Sequence, residues 1–322
     1  MIMKRFIKNT ILFILVVSIV TFSINFVFIK LDKSDNDNLE KFEDVPLEIE
    51  YCNFGSSHGL YGYNYVDYEE EATCFNFALS SQYLSYDERM FELYKSHISD
   101  DAVVFINVSY FSLFGPPESE GDSFASKNKR YYKIFPHELI KDYDLKTDIY
   151  VNYLPSLTVG GPVLASTLLG KSQNINEETW SKRADDPDLD VVKDGEAACL
   201  RHIIKSKLDE NGNRYVNQEE YDSLVMLING CREIGANPVL ITTPFLREYT
   251  DQIKTDKTFY DDFYGVVNDI VSTTHIQYYD FGFDERFVDH YDLFMNSDHL
   301  NEEGARVFVD ILMEEVVPEV RK

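Results

Sequence analysis

Residues Thr10 to Ile29 read TILFILVVSIVTFSINFVFI, twenty positions without a charge. At about 1.5 Å per residue, a helix of that length matches the ~30 Å hydrocarbon core of a bilayer. The run is too long for the ~7–15-residue core of a cleaved signal peptide, and no small-residue cleavage pattern follows it at Phe26 to Lys30. It therefore reads as an uncleaved signal anchor. Lys4, Arg5 and Lys8 precede it with no acid among them, so the positive-inside rule puts the N-terminus in the cytoplasm and the rest of the chain outside. The expected organisation is a cytoplasmic basic stub (1–9), a transmembrane anchor (10–29), a polar stalk (30–45) and an extracytoplasmic domain (46–322).

Charge narrows what that domain meets. The whole chain stands at −26; the first thirty residues hold four basic residues and no acid, which leaves the remainder at −30. Such a surface repels phosphate backbones, so nucleic acid is not an expected partner. With 44% apolar residues, the domain has enough material for a sizeable core. Cys52, Cys74, Cys199 and Cys231 allow three full disulfide pairings outside the cytoplasm, although Cys52 and Cys74 also suit buried free thiols in strands. No C-x-x-C pair occurs, so no thiolate zinc site, and no metal or cofactor, is expected.

Strand and helix patterns alternate. Strands are expected at 47–54, 73–79, 102–108 (AVVFINV), 238–243 (PVLITT) and 276–281. Helices are expected near 86–98, 221–234, 261–272 and 302–317. This order predicts an α/β fold with an open parallel sheet flanked by helices. Residues from about 115 to 216 break the rhythm as an insertion expected to cover one rim. In such sheets ligands bind beyond the strand C-terminal ends. Two polar clusters fall there: Gly55-Ser56-Ser57-His58 after the first strand, and FMNSDHLNEEGA (Phe294 to Ala305) before the last helix, with Asn301 as its expected cap. A serine and a histidine on one rim fit a nucleophile and its general base.

These clusters carry a resemblance. Gly55-Ser56-Ser57 resembles the first block of the SGNH, or GDSL-type, hydrolase superfamily, and Asn296-Ser297-Asp298-His299 resembles its Asp-x-x-His block. FMNSDHLNEEGARVF, CNFGSSHGLYGY and PVLITTPFLREY are similar to segments of its membrane-anchored extracytoplasmic members, the D-alanyl-lipoteichoic-acid transfer protein and the alginate and exopolysaccharide O-acetyltransferases. The resemblance implies a flavodoxin-like three-layer sandwich. It also implies an esterase or O-acyltransferase working on a cell-envelope or secreted glycan, with a membrane-embedded acyl-donor protein as partner.

By position, Ser57 is the expected nucleophile and His299 the base. Ser56 would hold the turn. The Ser57 N–H would serve as oxyanion donor with Asn76 as its partner, and Asn107 or Ser109 are further candidates. The family acid position holds Asn296, so Asp298 is the candidate acid. A Ser–His dyad oriented by Asn296 or a backbone carbonyl is the alternative. A chain that lacks the acid also fits a second class, a membrane-tethered binding or assembly module with the SGNH fold and no activity. Separately, oxygens from Asp209 to Glu220 are spaced like a calcium loop, but Arg214 stands where glycine is required, so a polar turn at Asn211-Gly212 is expected instead.

Overall fold

The computed structural model describes residues 2–32, 39–115, 128–171, 190–204, 214–254 and 258–321. The chain forms two compact units. One comprises Met1–Phe42 with Ala125–Glu177, and the other Glu43–Phe124 with Glu178–Lys322.

In the first unit, helix α1 (Ile2–Leu31) runs unbroken through the uncharged segment. Its apolar side chains are mostly exposed, Phe28 being a buried exception. It fits a single-pass membrane anchor by length and composition. Part of the segment expected as an insertion over the sheet belongs to this unit: short helices at Leu145–Asp148, Pro155–Leu157 and Gly161–Leu168.

The second unit is built on five parallel strands, β1 (Ile49–Phe54), β2 (Cys74–Asn76), β3 (Ile98–Asn107), β4 (Asn237–Thr242) and β5 (Gln277–Asp280). Their order is β2-β1-β3-β4-β5, and every pairing is parallel. Alternation along the strands separates two cores. Val103, Phe105, Val239 and Ile241 pack with Ala305, Phe308 and Val309 of the Glu302–Ile311 helix. On the opposite face, Phe54 stacks on Phe77 and meets Phe91 of α3 (Leu84–Tyr94) edge-on. Helix α3 in turn packs against the Gln218–Glu233 helix. Helices therefore cover both faces, as βαβ alternation predicts. The chain leaves β1 first toward β2 and later toward β3, so the switch point, where such sheets bind ligands, lies between β1 and β3.

Three local departures have physical causes. The expected strand 73–79 is regular only over Cys74–Asn76, although Phe77 N–H still donates to Asn53 O at 2.9 Å. The last helix breaks into Glu302–Ile311, a π turn at Leu312–Val316 and Val317–Val320, because Pro318 has no N–H to return to the helix. The calcium-like spacing resolves partly into caps. Asn217 accepts from Glu219 N and Glu220 N, while buried Glu220 accepts from Leu84 N and Ser85 Oγ at the start of α3. The Asn211-Gly212 turn lies outside the described residues. All four cysteines are free thiols.

Candidate active site

Ser57 opens helix α2 (Ser57–Gly62) three residues beyond the end of β1. The turn between them depends on close backbone approach. Gly55 adopts φ +140°, and a Cβ there would sit 2.7 Å from Asn107 Cβ at the end of β3. Only glycine meets both demands. Gly55 N–H donates to buried Asp87 of α3 at 2.9 Å. Ser56, expected to hold this turn, has a buried Oγ with no hydrogen-bond partner among the described residues.

Asn76 is also placed differently from its expected role as an oxyanion donor. Its Nδ2 donates to the carbonyls of Gly59, Leu60 and Tyr63, and its Oδ1 accepts from Asn53 Nδ2 at 3.0 Å. The amide satisfies the carbonyls at the end of α2, which lack intrahelical partners. Asn107 Nδ2 is directed at Ile241 O, and Ser109 Oγ at Asn107 Oδ1. Ser57 N–H, at the first position of α2, is left with no intrahelical acceptor.

The histidine reaches the same rim from the far end of the chain. Phe294 and Leu300 bridge antiparallel, and Met295 N–H donates to His299 O at 2.9 Å, closing a loop around Asn296–Asp298. Asn301 caps the next helix by accepting from Gly304 N at 2.9 Å. Gly304 lies so near the Leu293 carbonyl that a Cβ would collide with it. Ser297 N–H and Oγ both donate to Asp194 Oδ2, at 3.0 and 2.7 Å. Asp194 belongs to the Val191–Ile204 helix, so the end of the expected insertion does reach this rim.

The two loops bring Ser57 Oγ to 2.8 Å from His299 Nε2. On the other side of the ring, Asn296 Oδ1 lies 3.1 Å from His299 Nδ1. The same Oδ1 accepts the backbone N–H groups of Asp298 at 3.2 Å and His299 at 2.9 Å. Those two donors require an acceptor, so the amide turns its carbonyl, not its NH2, toward the imidazole. That orientation fits a ring protonated at Nδ1 and bare at Nε2, the tautomer a general base needs toward a hydroxyl. Asp298 Oδ1 stands 3.3 Å from His299 Nδ1. Its carboxylate is buried. Burial alone would raise its pKa, but His299 and His58 beside it outweigh burial and hold it well below the usual carboxylate range. Position 298 thus places a carboxylate beside the imidazole where position 296 offers only an amide.

Two more histidines surround that carboxylate. His58 is buried, with Nε2 3.5 Å from Asp298 Oδ2. Its ring stacks on His299 with centroids 4.6 Å apart. Neither ring nitrogen has a hydrogen-bond partner among the described residues, and burial lowers its pKa. His202 lies 4.0 Å from Asp298 Oδ2 and 2.7 Å from the Tyr249 hydroxyl. Ligand atoms of His58, Asp298 and His299 all fall within 4.8 Å of one another, so these three are where a metal ion would fit. His299 there already contacts Ser57 and Asn296.

Asp194 and His202 were not singled out from the sequence. Their spacing of eight residues places both on one face of a helix, together with buried Ala198. That periodic pairing of an acid and a histidine was the available signal.

A serine on a histidine, the histidine on an amide and a carboxylate, and an N–H at the serine with no intrahelical acceptor can carry out nucleophilic acyl transfer. A comparison with curated proteins gives no match. Residues 198–304, the stretch that carries His202, Asn296, Asp298 and His299 but not Ser57, match the family model of the DltD protein, in agreement with the resemblance carried by the motif at the C-terminal end of the domain.

Proposed function

We propose that the chain is an extracytoplasmic, serine-dependent acyl-transfer enzyme of the cell envelope. Ser57 Oγ attacks the carbonyl of an acyl ester and loses its proton to His299 Nε2. The new bond joins serine oxygen to acyl carbon. The ester C–O bond breaks, and His299 returns the proton to the departing alkoxide. A sugar hydroxyl of an envelope or secreted glycan, or water, then takes the acyl group by the reverse sequence. Asn296 orients the imidazole, Asp298 stabilises its charged form, and the Ser57 N–H faces the developing oxyanion.

The observation that carries this reading is the 2.8 Å contact from Ser57 to His299 with Asn296 and Asp298 behind the ring. The match to the DltD protein over residues 198–304 supports an SGNH-like role in envelope acyl transfer, and helix α1 supports work beside the membrane. The acyl donor is then a membrane-embedded partner protein. In the test, the full chain in detergent is given an acetyl-ester chromogen and a fluorophosphonate. Turnover and labelling that vanish in Ser57→Ala are expected. A folded chain that shows neither is an inactive binding or assembly module.

A further inference from the structure

Ile149 to Gly170 reads IYVNYLPSLTVGGPVLASTLLG, twenty-two residues without a charge. Charged residues bracket it, with Asp148 before and Lys171 after. The chain folds it into a π turn at Ile149–Tyr153, a 3-10 turn at Pro155–Leu157 and a helix at Gly161–Leu168. Its large apolar side chains are not gathered into a core. Tyr153, Leu157, Val163 and Leu169 are 63%, 55%, 47% and 71% exposed. An apolar surface of this kind calls for a cover.

The segment packs against α1, within the same unit. Asn25, the most polar residue of the membrane span, is buried there. Its Oδ1 accepts the Ser156 N–H at 3.0 Å, and its Nδ2 donates to Thr21 O at 2.9 Å. This bond sets a depth. Asn25 lies four residues before Ile29, the end of the uncharged run, or about 6 Å along the helix. With the orientation that the positive-inside rule gives, Ser156 lies about 6 Å inside the outer boundary of the hydrocarbon, within the depth of about 5–10 Å that interfacial segments take.

The polar groups of the segment suit that depth. Thr158 Oγ1 donates to Pro155 O, Ser166 Oγ to Val163 O, and Asn152 Nδ2 to Tyr132 O. These two hydroxyls and this amide are satisfied within the unit, as a water-poor environment demands, the amide also donating to Asp148 Oδ1 at 2.6 Å, while Ser156 Oγ has no partner among the described residues.

We infer that residues 149–170 form a second membrane element, lying in the outer-leaflet interface against α1 with Leu157, Val163 and Leu169 in contact with lipid. The occupant of the apolar surface is the bilayer itself, because the surface is continuous with a membrane-spanning helix and is placed by Asn25 at membrane depth. The test does not depend on activity. In a Trp180→Phe background, single tryptophans are introduced as Leu157→Trp, Val163→Trp and, as a control in the other unit, Met226→Trp, which replaces a residue 52% exposed. Each full-length chain is reconstituted in protein-free phosphatidylcholine vesicles with bromines at shallow or deep acyl positions. Leu157→Trp and Val163→Trp should be quenched at least threefold more than Met226→Trp, and more by shallow than by deep bromines. Quenching equal to the control in both variants would overturn the inference and assign the surface to a protein partner. Stronger quenching by deep than by shallow bromines would overturn the interfacial placement.

Discussion

Ser57 and His299 stand 242 residues apart in sequence and 2.8 Å apart in space, and the two are held by different kinds of force. The serine is positioned by sterics: Gly55 is pressed against Asn107, and the short helix α2 starts at once. The histidine is positioned by polar side chains: Asn296 collects three N–H groups, Asp194 holds Ser297, and Asn301 caps the next helix. A site of this kind should fail in two ways. Changes on the serine side should cost folding, and changes on the histidine side should cost rate.

The largest effects fall on the two reacting groups. Ser57→Ala and His299→Ala should each lower kcat for an acetyl ester by about 10⁴-fold or more. The double variant should be no worse than either alone, because the pair acts as one unit. Asp298→Asn should lower kcat by about 10²-fold and Asn296→Ala by about tenfold, or ~1.4 kcal/mol, with little change in KM. If neither variant reaches tenfold, the imidazole is oriented by backbone alone and the role given to Asp298 fails. Gly55→Ala should instead lower stability by about 3 kcal/mol through strain and overpacking, read as a shifted denaturation midpoint. A Gly55→Ala chain of unchanged stability but lost activity would break the division between the two halves.

Acid sensitivity should separate Asp298 from His58. The Asp298 carboxyl is held well below its ordinary range. Its stabilisation is therefore present above about pH 4 and is lost as pH falls below that, toward the folded value. Burial also lowers the His58 pKa, so the unfolded chain takes up that proton first, and stability declines from about pH 6.5 downward. In denaturation midpoints across pH, His58→Phe should remove the upper decline and Asp298→Asn the lower one. The smallest effect belongs to Asp194→Ala, a few-fold loss of kcat through a looser Ser297 turn. A loss as large as that of Asp298→Asn would mean that Asp194 does more than hold the loop.

The two halves also differed in how far the sequence revealed them. The parallel sheet was readable because β3 and β4 are buried on both faces and so appear as near-continuous apolar runs. Ser57 and His299 could be put on one rim because Ser57 follows β1 and His299 precedes the Glu302–Ile311 helix. The surroundings of the imidazole were only half readable: the sequence shows an amide at 296 and a carboxylate at 298, but not that two backbone N–H groups turn the Asn296 oxygen inward. Asn76, expected as an oxyanion donor from its position along the second strand, instead gives its amide to the unsatisfied carbonyls of α2. Asp194 and His202 reach the site only through tertiary packing of the Val191–Ile204 helix against Arg247–Ile253. Their spacing marks one helix face, but no local pattern shows that this face meets the rim. The same holds for Ser156 on Asn25, which draws the middle of the expected insertion to helix α1.

Acyl transfer by this site requires that Ser57 become covalently acylated. That step is tested most directly by rapid acid quench of the full-length chain after mixing with an activated acetyl ester, followed by peptide mass spectrometry. One acetyl group is expected on the peptide containing Ser57, formed about a hundredfold more slowly in His299→Ala and absent in Ser57→Ala. Turnover of the ester with no adduct on Ser57, or an adduct that forms as fast without His299, would contradict it.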